Sequence, residues 1–191
     1  MFERFTTGAR DVVKGAVGHA ERADAGSVTE EHLLLALLDL EGTPSAAALA
    51  ALGVTARRAS VEAALADARR RGGMTRADAD ALADLGIDVT EVVSRVEAVH
   101  GAGALAGDRR AKRWWSGHRP FTRPAKDVLE RSLRVALGRG DRHIGDQHLL
   151  LALAARPGVV ADVLADHGAT YTALERALPG GTGTGGAAAA G

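Results

Sequence analysis

The hydrophobic residues of the first sixty positions follow helical periods. Between residues 9 and 20, apolar residues recur every three or four positions, which is the spacing of a helix with one face in a core. The run Leu33–Leu38 is apolar nearly all round, so we expect that helix to be central and buried. Pro44 and Gly53 fit the start and the end of a short third helix, and a fourth is expected from about residue 55 to about residue 70.

Hydroxyl and acidic residues mark where the first two helices begin. Thr6 or Thr7 is the natural N-cap of the first helix, because a hydroxyl there accepts a free backbone N–H. Thr29 can cap the second helix, with Glu30 and Glu31 in the first turn, where the helix dipole favours carboxylates.

Two parts of the chain repeat at a constant separation. Phe5–Val13 returns as Phe121–Leu129, and His32–Leu37 returns as His148–Leu153, both 116 positions later. The common separation means that two helices and the turn between them were duplicated together. We therefore predict an all-α fold of two pseudo-symmetric four-helix repeats.

The segment between the two copies resembles a further half-repeat. Ala81–Ile87 is similar to Ala48–Val54, and Thr75 with Asp78 forms a plausible N-cap pair, so we expect two helices joined at a glycine. Residues 101–119 are expected to be a loop. The expected domains are a first repeat (1–66), a helical insertion with a basic loop (67–118), a second repeat (119–178) and a disordered Gly/Ala tail (179–191).

The amino-acid composition excludes several classes of protein. The 191 residues include no cysteine, which excludes a disulfide scaffold, cysteine-based zinc sites and a thiol nucleophile. The formal net charge of +0 argues against a whole-surface nucleic-acid binder. No apolar run has the length of a membrane span and no signal-peptide apolar region is present, so we expect a cytoplasmic protein without a membrane partner.

Motifs for catalysis are missing. The sequence contains no G-x-x-x-x-G-K-S/T phosphate loop, no G-x-S-x-G and no H-E-x-x-H, so we expect no enzyme activity, no cofactor and no metal site. His32 and His148 stand at equivalent places beside the two leucine runs. We interpret both as structural histidines that donate to a nearby carbonyl, rather than as ligands or acid–base groups.

Thr6 and Glu31 form the most informative pair of polar residues. Helix N-termini offer unpaired N–H groups that suit a phosphate, and a neighbouring carboxylate pairs well with guanidinium-type donors. Taken alone, the residues favour the structural interpretation, with Thr6 as a cap and Glu31 as a complement to the helix dipole.

Three motifs carry a family resemblance. They are the N-terminal Met-Phe-Glu-Arg-Phe-Thr, the run from Glu31 to Leu37, and the segment from His118 to Lys126. They resemble the Clp N-terminal repeat domain, most closely the N-domain of the C-type Clp ATPases, over residues 1–66 and 119–178. The resemblance implies two four-helix repeats that dock adaptors and substrates, including arginine-phosphorylated proteins, for an ATP-driven protease.

The resemblance also implies two phosphoarginine sites. The first would use Thr6 for the phosphate and Glu31 for the guanidinium. The second would use Thr122, with Gln147 where the family has Glu. Because Gln is neutral, we expect the second site to be weaker, unless the neighbouring Asp146 compensates.

A second family surface binds cyclic-peptide antibiotics where the first helices of the two copies meet. Phe2 and Phe121 would be its aromatic anchors, although a core role for both is an equal alternative. The full set of matching residues is Phe2, Arg10, Val13, Phe121, Lys126, Leu129 and Glu130.

Two functions follow as hypotheses. The first is a stand-alone N-domain without a motor, a non-catalytic adaptor, substrate receptor or decoy whose partners are Clp ATPase and protease components or their substrates. The alternative is a nucleic-acid contact through the loop between Arg109 and Arg119, where basic residues flank Trp114 and Trp115.

Overall fold

The computed structural model describes residues 2–106 and 119–180. Within them the chain forms ten α-helices and no β-strand, so the predicted all-α class is confirmed. The helices are α1 (Thr7–Arg22), α2 (Glu30–Leu38), α3 (Pro44–Ala51), α4 (Arg58–Arg70), α5 (Arg76–Asp84), α6 (Val89–His100), α7 (Arg123–Gly138), α8 (Asp146–Ala154), α9 (Val159–Asp166) and α10 (Tyr171–Ala177). Short 3₁₀ helices, Phe2–Arg4 and Thr55–Arg57, precede α1 and α4.

Each copy contains four α-helices, as the duplication predicts. The first copy is α1–α4 and the second is α7–α10. Their first helices begin alike, because Thr6 accepts a hydrogen bond from the N–H of Ala9 at 3.2 Å and Thr122 accepts one from Ala125 at 3.3 Å. The predicted fourth helix starts as a 3₁₀ turn and becomes α-helical only at Arg58.

The leucine-rich second helices, α2 and α8, lie in the core. In α8, every residue from Leu149 to Leu153 is at most 1% exposed. α1 packs on α2, α7 packs on α8, and α2 and α8 contact each other. Since each fully buried leucine stabilises the fold by about 1.5–3 kcal/mol, this shared core holds the two copies together.

A glycine ends the third helix of each copy. Gly53 and Gly168 have φ angles of 71° and 83°, in the left-handed region that residues other than glycine rarely adopt. The next N–H then reaches back into the helix, from Val54 to Leu49 at 2.9 Å and from Ala169 to Leu164 at 2.8 Å. The end predicted from Gly53 is therefore confirmed, and its equivalent recurs in the second copy.

The insertion contains the two predicted helices, α5 and α6, joined at Gly86. Ion pairs connect these two helices to α4 and α9, from Arg70 to Glu97 at 2.9 Å and from Arg76 to Asp166. α5 has no buried residue, and α6 has only Val89 and Val93. The insertion therefore packs much less tightly than the repeats.

Residues 107–118 and 181–191 lie outside the described residues. They include Trp114, Trp115, most of the basic loop and most of the predicted tail. The side chain of Phe2 is also outside the description, although its backbone belongs to the first 3₁₀ helix.

Candidate binding site at the crossed helix starts

The segment before α1 pairs with the segment before α8, which belongs to the other copy. Phe5 and Ile144 form an isolated parallel β-bridge. The N–H of Thr6 donates to the carbonyl of Ile144 at 2.9 Å, and the N–H of Ile144 donates to the carbonyl of Arg4 at 2.8 Å. These bonds hold the start of α1 beside the start of α8.

The same arrangement recurs with the copies exchanged. Val28 and Phe121 form the second parallel bridge. The N–H of Thr122 donates to the carbonyl of Val28, and the N–H of Val28 donates to the carbonyl of Pro120, both at 2.9 Å. The start of α7 therefore lies beside the start of α2.

The crossed pairing brings together residues other than the pairs expected from the resemblance. We expected each threonine to act with the residue of its own copy, Thr6 with Glu31 and Thr122 with Gln147. The backbone bonds instead bring Thr6 to the start of α8, where Gln147 lies, and Thr122 to the start of α2, where Glu31 lies.

Asp146, at the start of α8, has a structural role. It is 4% exposed, and its Oδ2 accepts the N–H of Ser45 at 2.9 Å, which caps α3 of the other copy. Its Oδ1 lies 2.9 Å from the position that a Cβ on Gly8 would occupy, so glycine permits the close approach of α1. Asp146 therefore does not offer the exposed carboxylate that could compensate for Gln147.

Gln147 itself folds back over the preceding turn. Its Oε1 lies 2.1 Å from the position that a Cβ on Gly145 would occupy. The half-buried Gln147 amide covers the place that the Thr29 side chain occupies in the first copy. The start of α8 thus differs from that of α2 in both shape and charge.

Two carboxylates at the start of α2 pair with arginines from elsewhere in the chain. Glu30 forms an ion pair with Arg156 of the second copy. The pKa of Glu30 is raised, mainly by burial and to a smaller extent by the charge of Asp127. The charge and the hydrogen bond of Arg156 oppose this rise. Glu31, whose side chain is 16% exposed, has its Oε1 3.3 Å from Nε of Arg69.

These groups border a cavity of about 560 Å³, a size typical of ligand pockets. Three parts of the chain form its walls: the approach to α2 and its first turn, the end of α4 with the insertion, and the segment before α9. The charged lining residues are Glu30, Glu31, Arg69 and Arg156. Thr75 and Ala106 of the insertion also line the cavity, so the insertion borders this site.

Sequence reasoning missed Arg69 and Arg156. Arg69 is the first of three consecutive arginines at the end of the predicted fourth helix, and Arg156 follows the second leucine run. Helical periodicity places Arg69 at a helix end and Arg156 just after one. It does not reveal their acidic partners, which are 38 and 126 positions away in sequence.

The two equivalent histidines are structural, and each accepts a backbone N–H at Nδ1, which we did not expect. Nδ1 of His32 accepts the N–H of Thr29 at 3.0 Å, and Nδ1 of His148 accepts the N–H of Gly145 at 2.9 Å. The Nε2 of His148 lies 2.9 Å from Asp141 Oδ2, so this nitrogen carries the proton of a neutral ring. Burial lowers the pKa of His148, and Asp141 opposes that shift.

The residues of the expected cyclic-peptide groove differ in accessibility. Leu129 is buried, and half-buried Phe121 packs against the core, so both contribute to the core. Val13 is also half-buried against the core. Arg10, Lys126 and Glu130 are exposed, and the Arg10 guanidinium donates to the carbonyl of Phe5 at 2.8 and 3.1 Å.

Arg119 is the one basic residue of the expected nucleic-acid loop that lies in the described part of the chain. Its guanidinium donates to the carbonyl of Ala25 and lies 3.6 Å from Asp24. Arg119 is therefore bound to the first copy.

Residues 2–106 and 119–180 contain no group of histidine, aspartate and glutamate side chains that could hold a metal ion. No single helix in that part of the chain is long and apolar enough to cross a membrane. α8 and α9 reach that length and hydropathy only as a pair, and they are bent by 97° at the break between them.

A known protein family matches most of this chain. The model of the Clp repeat (R) N-terminal domain matches residues 4–80 and 120–186. Chaperone protein ClpC1 of Arabidopsis thaliana chloroplasts is 34% identical over 171 residues, which is 88% of this chain and 14% of that protein. The chloroplastic ClpA homolog of Brassica napus, an ATP-binding subunit of an ATP-dependent Clp protease, is also 34% identical, over 88% of this chain and 15% of its own length.

The solved structures give the same fold. The N-terminal domain of the chaperone ClpD from Arabidopsis thaliana superposes with a TM-score of 0.54, covers 93% of each chain and is 19% identical. The chain thus spans about one seventh of the length of its full-length relatives but nearly the whole of this solved domain.

Proposed function

This chain belongs to the family of Clp repeat N-terminal domains, and from that we propose that it is a non-catalytic binding module of the Clp chaperone and protease system. Its ligands are arginine-phosphorylated proteins, which it receives as a substrate receptor, an adaptor or a decoy. Its partners are Clp ATPase and protease components or their substrates.

One observation carries the choice of ligand: the crossed pairing puts two complementary helix starts side by side. The start of α7 offers a phosphate the hydroxyl of Thr122 and the backbone N–H of Arg123. Pro124 has no N–H, and the N–H of Ala125 donates to Thr122. The neighbouring start of α2 offers the carboxylate of Glu31 in a cavity of about 560 Å³. A phosphoarginine side chain combines these two chemistries, because its phosphate is attached to a guanidinium group.

The equivalent site on the other side is weaker in this proposal. Thr6 at the start of α1 faces the start of α8, where Gln147 supplies a neutral amide. Asp146 accepts the N–H of Ser45 and is buried, so it does not replace the missing charge. The site that contains Thr122 and Glu31 is therefore the principal one.

Calorimetry with a synthetic peptide that carries one phosphoarginine tests this proposal, with the unphosphorylated peptide as control. Glu31→Ala should weaken binding by roughly tenfold to a hundredfold, since a hydrogen bond to a charged group contributes about 1.5–3 kcal/mol. Gln147→Ala should have a much smaller effect. The proposed function is refuted if the wild-type chain fails to discriminate the phosphorylated peptide from its control.

A double-mutant cycle tests the crossed pairing within the same experiment. Thr122→Ala and Thr6→Ala each remove one helix cap, so they form a matched pair with similar costs to stability. If Thr122 and Glu31 share one ligand, the effects of Thr122→Ala and Glu31→Ala on affinity will be non-additive. Additive effects there, with non-additivity between Thr6 and Glu31, would restore the pairing within one copy.

A further inference from the structure

Four arginines of the second copy have no counterpart in the first. They stand on α7 and in the turn after it, at positions where the first copy has only glycine or alanine. They are Arg131, Arg134, Arg139 and Arg142, and their equivalents 116 positions earlier are Gly15, Gly18, Ala23 and Gly26. The two copies therefore differ strongly in charge on this one face.

Together with Leu137, which is 60% exposed, these four arginines define what we name the α7 basic face. Arg131, Arg134 and Arg139 line a cavity of about 360 Å³, next to Tyr171 and one acidic residue, Glu175, of α10. A neighbouring depression of about 490 Å³ contains Leu137 and Arg142. The face thus combines concave surface, positive charge and an exposed apolar side chain.

None of these arginines pairs with a carboxylate in the described part of the chain. Among residues 2–106 and 119–180, no ion pair includes any of the four. The Arg139 guanidinium donates to the carbonyl of Pro179 through an amino group, while its Nε is buried without a hydrogen-bond partner. The dipole of α7 favours cations only in its last turn, whereas Arg131 and Arg134 stand further from the end. The face is therefore suited to an acidic partner.

The insertion has the opposite character. The hairpin from Arg76 to His100 has six carboxylates against two arginines. Five large apolar side chains are exposed in the described part of the chain, and four of them belong to this hairpin. Leu85 and Val99 are each 76% exposed, and Ile87 and Val92 are more than 40% exposed. At its tip, Leu85 and Ile87 are flanked by Asp84 and Asp88.

We propose that the α7 basic face docks the acidic α5–α6 hairpin of a second copy of this chain. Asp80 and Asp84 pair with Arg131 and Arg134, while the apolar tip packs against Leu137 and Tyr171 of the other copy. The chain is neutral overall, and it has a basic face and an acidic hairpin, each with exposed apolar side chains. A second copy of this chain therefore has the charge and the apolar surface that each of them needs in a partner. Because two different surfaces meet, the contact is head-to-tail and extends to further copies unless a ring closes.

Sedimentation velocity of the full chain tests this proposal at about 50 mM and about 500 mM salt, since screening at the higher salt weakens contacts between exposed charges. One double variant reverses the basic face (Arg131→Glu with Arg134→Glu), and another reverses the hairpin (Asp80→Arg with Asp84→Arg). Each should weaken self-association at least about tenfold, because like charges placed opposite each other are repelled. Arg22→Glu with Arg71→Glu is the control for the variant of the basic face, with the same change in net charge at other exposed positions.

Mixing the two double variants is the decisive measurement. Each variant is repelled by its own kind, but in the mixture every reversed surface meets a surface of opposite charge, so association should return. Recovery in the mixture supports the proposal. It is overturned by a wild-type chain that stays monomeric at low salt, by association that the control weakens equally, or by a mixture that remains monomeric. Thermal melts followed by circular dichroism show that each variant is folded.

Discussion

Arg69 pairs with Glu31 in the proposed phosphoarginine site. Its Nε lies 3.3 Å from Glu31 Oε1, so the guanidinium of the chain itself already pairs with the carboxylate that the proposed ligand needs. In the proposed site, the guanidinium of a phosphoarginine competes with Arg69 for the Glu31 carboxylate. Replacing Arg69 by alanine should therefore tighten the binding of a phosphoarginine peptide.

The exposure of the pair limits the size of this effect. The Arg69 side chain is 42% exposed, and its Nε makes no hydrogen bond despite the short distance. Ion pairs of this kind contribute about 0.2–1 kcal/mol, so Arg69→Ala should lower the dissociation constant by up to about fivefold. Arg71→Ala removes the same charge nearby without touching Glu31, and we expect no gain in affinity from it.

Isothermal titration of the phosphoarginine peptide into wild type, Arg69→Ala and Arg71→Ala measures this difference directly. Weaker binding by Arg69→Ala would refute the reasoning, because it would mean that Arg69 holds the phosphate rather than competing with the ligand for Glu31. An equal gain in Arg71→Ala would also refute it, since the effect would then come from net charge. The Glu31→Ala variant of each chain confirms that the same site is measured.

Two further predictions concern stability. Burial lowers the pKa of His148 in the folded chain. Below about pH 6.5 this histidine is therefore protonated in the unfolded chain before it is protonated in the folded one. The free energy of unfolding should then fall by at most about 1.4 kcal/mol for each pH unit. Urea titrations between pH 7.5 and about 5 should show a smaller slope in His148→Gln, whose amide oxygen can still accept the N–H of Gly145. An unchanged slope would show that His148 is not the residue that causes it. Asp146→Ala leaves the buried N–H of Ser45 without an acceptor and should cost about 1–3 kcal/mol in the same assay, whereas a neutral result would show that another group caps α3.

The sequence predicts the helices well because their signals are local. The caps at Thr6 and Thr122, the glycine turn at Gly53 and the two insertion helices all depend on residues within a few positions of each other. The repeat spacing also identifies equivalent positions in the two copies. For these features, propensity, capping and packing favour the same structure.

The same spacing does not reveal which copy supplies each half of a site. Duplication shows that Phe5 corresponds to Phe121, but only the β-bridges show that Phe5 pairs with Ile144, 139 positions away. A similar limit applies to Glu31, because its pairing with Arg69 depends on how α4 lies against α2. The roles of His32 and His148 as acceptors depend on the ring tautomer, which residue type does not determine.

The crossed pairing also explains why the two copies can differ chemically while they remain alike in fold. Glu30 and Asp146 are equivalent, and each connects its helix start to the other copy, one through Arg156 and the other through Ser45. Equivalent positions thus preserve the contact between copies even though its chemistry has changed. The next residue along, Glu31 or Gln147, is less buried than Asp146, so its charge can vary without loss of that contact. Because each proposed site takes one helix start from each copy, neither repeat alone contains a complete one, and the affinity of the protein depends on how the copies are joined.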